Sequence, residues 1–214
     1  MKRYVVLAGN IGAGKSTLVR LLADRLGWTP YFEPVAENPY LADFYADMGR
    51  WAFASQVFFM AWRVKSHRAL MDDPGTVVQD RSLYEDAEVF ARNLHRRGYL
   101  SDRDWATYRE LYATFTSLLP APDLVVYLRA SVATLRGRIA RRGRGFEAGI
   151  EAAYLAGLNE LYEEWIAAFR LAPVLVVPAD RLDFVTDTAA LERIVATVED
   201  RLHDRQGLLF PYRM

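Results

Sequence analysis

The run Gly9-Asn10-Ile11-Gly12-Ala13-Gly14-Lys15-Ser16-Thr17 constrains this chain more than any other feature. The apolar stretch Tyr4-Val5-Val6-Leu7-Ala8 precedes it, and Leu18, Leu21, Leu22 and Leu26 follow at helical spacing. Strand, glycine loop, Lys-Ser and helix in that order predict a phosphate-binding loop. Glycines let the backbone curl until successive N–H groups point at one anion. The helix that follows turns its positive end toward the same place. Lys15 brings charge to the β- and γ-phosphates of a nucleoside triphosphate, and Ser16 offers a hydroxyl to Mg²⁺. A glycine-rich turn that matches by chance would leave the flanking strand and helix unexplained.

Further apolar runs at 29–32, 76–79, 124–128 and 174–177 alternate with helical patterns at 15–26, 39–48, 51–72, 83–96, 102–119, 131–142, 150–171 and 188–204. This alternation predicts an α/β fold, a parallel sheet with helices on both faces. Asn38-Pro39, Ser101 and Ser131 read as helix starts, by a capping side chain or by proline in the first turn. No repeat or linker interrupts the 214 residues, so 1–214 is expected to be one domain. Twenty-seven basic residues balance twenty-seven acidic ones, so charge gives no reason to expect nucleic acid or an anionic membrane as partner. The absence of cysteine excludes disulfides, thiolate catalysis and cysteine-based metal sites. No signal-like or membrane-length apolar segment is seen, and a cytoplasmic location is expected.

Ligands in open parallel sheets gather at the carboxyl ends of the strands. Two motifs fall there: Glu33-Pro34-Val35 after the second strand and Asp80-Arg81-Ser82 after the third. A carboxylate facing the γ-phosphate can take a proton from an acceptor hydroxyl, and an arginine can neutralise charge on the transferring group. Asp80 stands where an acidic residue helps to hold Mg²⁺. The plainer readings are a solvated carboxylate for Glu33 and a surface ion pair for Asp80 and Arg81.

The glycine loop, Glu-Pro-Val and Asp80-Arg81-Ser82-Leu83-Tyr84-Glu85-Asp86 together resemble the deoxyribonucleoside kinases. The stretch Asn38-Pro39-Tyr40-Leu41-Ala42-Asp43-Phe44-Tyr45 is similar to the bacterial deoxyadenosine/deoxyguanosine kinase branch. The family commonly has Glu-Arg-Ser where this chain has Asp80-Arg81-Ser82; aspartate keeps the charge and shortens the reach. The resemblance implies a P-loop kinase fold with a five-stranded parallel sheet in order 2-3-1-4-5 and an arginine-rich lid at about 138–147. It implies transfer of the ATP γ-phosphate, with Mg²⁺, to the 5′-hydroxyl of a deoxyribonucleoside. Glu33 would then be the general base and would contact substrate. Lys15 and Arg81 would stabilise charge, and Ser16, Asp80 and Glu33 would hold the metal.

The resemblance also assigns Gln56 to the base edge, Arg63 and Asp86 to a charged pair beside it, and Phe90 to stacking on the base. Spacing agrees only in part: Gln56 and Arg63 share one helical face, as do Asp86 and Phe90. Surface polarity and core packing explain the same spacing. Glutamine offers both a donor and an acceptor, whereas a fixed Arg–Asp pair leaves charge unpaired against the methyl group of thymine. A purine deoxyribonucleoside is therefore expected, adenine and guanine being left open, with deoxycytidine or broad specificity as the alternative.

Tyr45 and Glu147 match positions that bind the sugar 3′-hydroxyl; a core tyrosine and a solvated glutamate are the rivals. Arg136, Arg138, Arg141, Arg142 and Arg144 crowd a helix end, where their mutual repulsion would be offset by a triphosphate. Arg138, Arg142 and Arg144 align with the lid; a solvated basic face or an RNA-binding patch is the other reading. By resemblance Asp183 and Phe184 contact the ATP adenine. A nucleoside monophosphate kinase is a further alternative, disfavoured because Glu33 would repel an acceptor phosphate. A non-catalytic nucleotide-binding subunit is another, disfavoured because Lys15, Glu33 and Arg81 are all present. A homodimer is expected from the family, with the apolar residues of 83–96 and 150–171 as its candidate interface.

Overall fold

The computed structural model describes residues 2–33, 37–147 and 149–207. Five parallel strands form one sheet in the order β2-β3-β1-β4-β5. They are β1 (Tyr4–Gly9), β2 (Thr29–Tyr31), β3 (Val77–Asp80), β4 (Leu124–Arg129) and β5 (Val174–Pro178). Both the sheet and its order agree with the expectation. Every residue of β1 and β3 is buried, which explains why these strands read as unbroken apolar runs. β2 is an edge strand of three residues; Pro30 at its centre has no N–H to give to a second neighbour.

Alternate side chains divide the core in two. Tyr4, Val6, Ala8, Val77, Val125 and Tyr127 pack on one face of the sheet. Val5, Leu7, Val78, Leu124, Val126 and Leu128 pack on the other. The first face is covered by α3 (Met48–Asp72), by α6 (Asp102–Leu118), which buries Tyr108, and by α8 (Ala152–Ala168). The second is covered by α1 (Lys15–Leu26), α7 (Val132–Arg142) and α9 (Thr188–Gly207).

Helix starts follow local chemistry. Ser101 and Ser131 accept hydrogen bonds from Asp104 N and Thr134 N at 3.1 and 3.3 Å and cap α6 and α7. The expected start at Asn38-Pro39 is corrected. Asn38 Oδ1 accepts from Tyr40 N at 3.0 Å, which makes a turn, and α2 (Leu41–Ala46) begins only after it. The expected helix over 150–171 is α8, shorter at both ends. The expected helix over 83–96 is not uniform: α4 (Leu83–Glu85) passes into a π-helical segment, Asp86–Ala91, and then α5 (Arg92–Arg96).

The apolar residues of these last two segments are mostly turned inward. Leu83, Val89, Phe90 and Leu94, like Tyr154, Leu158, Leu161 and Tyr162, belong to the core of the chain itself. They therefore offer no free face to a second copy, and that argument for an interface is withdrawn. Among the described residues no helix is long and apolar enough to cross a membrane.

Candidate active site

Residues 10–14 join β1 to α1, and the loop is fastened from inside. Asn10 is buried; its Nδ2 donates to Leu155 O and Asn159 Oδ1 of α8 at 3.0 and 2.8 Å, and its Oδ1 accepts from Ile11 N at 2.7 Å. Gly12 and Gly14 have φ of 81° and 102°, which side chains with a Cβ resist. Lys15 is buried and donates to Asn10 O at 3.1 Å. Burial, and then the nearby charge of Arg81, bring its pKa down to about 8. A polyphosphate on the loop would reverse that shift.

The tips of β2 and β3 supply the opposite wall. Glu33 Oε1 accepts from Arg63 at 2.7 Å and lies 3.6 Å from Arg81. Burial alone would raise the pKa of Glu33, but Arg81, Arg63 and Lys15 together outweigh it and hold the carboxyl below its ordinary range. The plain reading of Glu33 as a solvated carboxylate does not survive. Arg81 is buried with its guanidinium 4.0 Å from the centre of the Phe90 ring, so it is no surface ion pair. Its φ of 66° is the one positive value at a non-glycine among the described residues. Such strain concentrates where function needs an unusual backbone. Pro34 and Val35 of the Glu-Pro-Val motif lie outside the described residues.

Arg63 spends its whole guanidinium on this corner. Nε donates to Asp86 Oδ2 at 2.9 Å, one terminal nitrogen to Asp80 O at 3.0 Å, and the other to Glu33. The pair of Arg63 and Asp86 exists, but only 1% of Arg63 is exposed and neither residue lines the cavity. Both stand behind its wall, with Arg63 supporting Glu33. Ser16 Oγ donates to Asp80 Oδ2, and Asp80 Oδ1 is buried without a partner. A hydroxyl and a carboxylate oxygen with a spare lone pair suit a hard cation that takes its remaining ligands from phosphate and water.

Two cavities meet at Gly12 and Arg142, which line both. The first is lined by Lys15, Ser16, Glu33, Tyr45, Gln56, Asp80, Arg81, Phe90 and Glu147. Its volume is about 100 Å³. Ligand pockets run to roughly 300–1,000 Å³, so a ligand of ordinary size would have to widen it. Its roof is the contact of Tyr45 with Phe146, rings 5.9 Å apart and near parallel. Gln56 is buried with Oε1 unpartnered. Phe44, Phe59 and Tyr154 also line this cavity and were missed. Phe59, three residues after Gln56 on one helical face, could have been found by spacing; Tyr154 could not.

The second cavity, about 770 Å³, is lined by Gly14, Thr17, Arg138, Arg141, Asp183 and Phe184 among others. Phe184 is buried against Gly14, where an added Cβ would lie 3.2 Å from the ring. Asp183 turns back on its own loop, accepting from Thr186 Oγ1 at 2.7 Å and from Val185 N and Thr186 N, each at 3.1 Å. The basic cluster is divided. Arg138 donates to Ala13 O and Ala179 O at 2.8 and 2.7 Å. Arg142 and Arg144 lie 2.6 and 3.3 Å from the carboxylate of Glu147, which is buried, not solvated.

A phosphate loop on this sheet, with a carboxylate and Arg81 at the neighbouring strand tips and Arg63 of α3 holding the carboxylate, defines a P-loop phosphotransferase with a small enclosed acceptor. The deoxynucleoside kinase family profile matches residues 5–203. Deoxyadenosine/deoxycytidine kinase of Bacillus subtilis is 37% identical over 204 residues, covering 94% of each chain. Deoxyguanosine kinase of the same organism is 33% identical, covering 92% of this chain and 96% of its own. Deoxyadenosine kinase of M. mycoides, solved with dCMP and dCDP, superposes with a TM-score of 0.83 at 31% identity, covering 92% of this chain and 99% of that one. The same enzyme with bound dATP gives a TM-score of 0.80. The chain belongs to the deoxynucleoside kinase family, and it is a deoxynucleoside kinase.

Proposed function

We propose that this kinase transfers the γ-phosphoryl group of ATP to the 5′-hydroxyl of a purine deoxyribonucleoside, deoxyadenosine or deoxyguanosine. The observation that carries it is Glu33, half-buried in the wall of the first cavity with Arg63, Arg81 and Lys15 around it. The acceptor oxygen attacks the γ-phosphorus, the bond to the β,γ-bridging oxygen breaks, and ADP leaves. Glu33 receives the hydroxyl proton. Its low pKa makes it a weak base, which suffices because the transition state is loose and the proton moves late. Lys15, Arg81 and the lid arginines Arg138, Arg142 and Arg144 hold the charge spread over the phosphoryl oxygens. Ser16 and Asp80, with Glu33 nearby, would hold Mg²⁺, which would neutralise phosphate charge.

Gln56 with its free Oε1 meets the base edge, Phe90 packs on the base, and Tyr45 and Glu147 take the 3′-hydroxyl. Arg63 and Asp86 act through the wall, fixing Glu33 and the polarity behind Gln56. Asp183 and Phe184 border the ATP adenine. Relatives named for deoxyadenosine/deoxycytidine and for deoxyguanosine support the purine reading and keep deoxycytidine second. We take 1–214 as one kinase domain with its lid at about 138–147. We take the assembly to be a homodimer; light scattering at twice the 24.4 kDa chain mass checks it. Turnover of the purine nucleosides, lost in Glu33→Gln, tests the whole reading.

A further inference from the structure

Glu85 is fully buried, carries an ionisable group, and has no part in the chemistry above. Strands β1 and β3 run parallel in register up to Leu7 opposite Asp80, and Arg81 N adds one more bond to Leu7 O at 3.0 Å. In a parallel ladder the next bond would run from Gly9 N to the carbonyl of Arg81. Arg81 instead turns into the left-handed region. Gly9 N donates to Glu85 Oε1 at 3.1 Å, so a side chain takes the place of the missing carbonyl. The other oxygen of Glu85 accepts from Ser82 N at 3.1 Å, which fixes the residue after Arg81. Arg63 fixes the residue before it, through Asp80 O.

From α8, Tyr162 Oη lies 2.7 Å from Gly9 O and 2.8 Å from Glu85 Oε1. One phenolic hydrogen cannot serve two acceptors. A proton on Oε1 would let Glu85 donate to Tyr162 and Tyr162 donate to Gly9 O, leaving no acceptor bare. Burial pushes the pKa of Glu85 up against the pull of Arg81 and Lys15, in the same sense.

We propose that Glu85, braced by Tyr162, is a positioning residue that locks the entrance of the phosphate loop to the strained Arg81 turn. The proposal rests on the roles given above to Lys15 and Arg81. It reaches the reaction through both, one at each end of the clasp.

Glu85→Ala, Glu85→Gln and Tyr162→Phe test it, with circular dichroism and thermal melting as the check on folding. Wild-type turnover, measured alongside, reports on the kinase reading separately. We expect Glu85→Ala to lower kcat/KM for ATP at least tenfold, with the nucleoside KM within about twofold of wild type. Glu85→Gln keeps an acceptor for Ser82 N and a donor for Tyr162, so it should recover part of the loss. Tyr162→Phe should lower kcat/KM for ATP by threefold or more while remaining folded. Unchanged ATP kinetics in a folded Glu85→Ala or in Tyr162→Phe would overturn the proposal. Should Glu85→Ala not fold, Tyr162→Phe decides alone.

Discussion

Glu33 takes its character from three cations that converge on it from separate elements, α3, the tip of β3 and the phosphate loop. Lys15 is the opposite case, a cation whose charge is disfavoured until an anion arrives. With a pKa of about 8 in the free enzyme, it is mostly charged near neutrality and mostly neutral a unit or more above 8. Bound phosphates favour the charged form and raise that pKa. ATP binding should therefore take up little proton at about pH 7 and close to one at about pH 9. Calorimetry in buffers of different ionisation enthalpy measures this, and flat uptake across the range would contradict it. Tyr45→Phe should raise the nucleoside KM several-fold at nearly constant kcat; an unchanged KM would remove Tyr45 from the sugar site. The glycine loop, Glu33 and Arg81 were legible because their chemistry is tied to strand ends. The bond from Arg63 to Glu33 was not, since no spacing links α3 to the tip of β2.

Elements join the residues into a site. α7 lies so close to the loop that a Cβ on Gly12 would fall 2.9 Å from Leu135 O and from Ile139 Cγ1. Gly12 also needs a φ of 81°. Gly12→Ala should therefore fold with a loss of about 1 kcal/mol or more. By pushing α7 and its arginines outward it should raise KM for ATP more than for nucleoside. Equal effects on both would show that α7 is not seated on the loop. The caps at Ser101 and Ser131 were readable because a hydroxyl before a helical pattern has one dominant use. The π-helical turn at Asp86–Ala91 was not: Asp-Ala-Glu-Val-Phe-Ala carries no local signal for it. It arises where Asp86 must reach Arg63 while Phe90 reaches the cavity.

At the scale of the molecule, the parallel sheet followed from apolar runs alternating with helical patterns, and its strand order from the family resemblance alone. Closure of the acceptor cavity depends on α2 meeting the turn at Phe146, a contact between segments about a hundred residues apart that periodicity cannot reveal. The proposed purine preference would also be a property of the assembled wall, which Gln56 lines and which has the Arg63–Asp86 pair behind it. Thymidine should therefore be the poorest acceptor by kcat/KM. The most direct test is Mg-ATP-dependent phosphorylation of deoxyadenosine, deoxyguanosine, deoxycytidine and thymidine by the wild type and Glu33→Gln. The account predicts purine turnover that falls roughly 10²–10⁴-fold in Glu33→Gln, with the nucleoside still bound. Turnover that survives in Glu33→Gln, or thymidine as the best substrate, would contradict it.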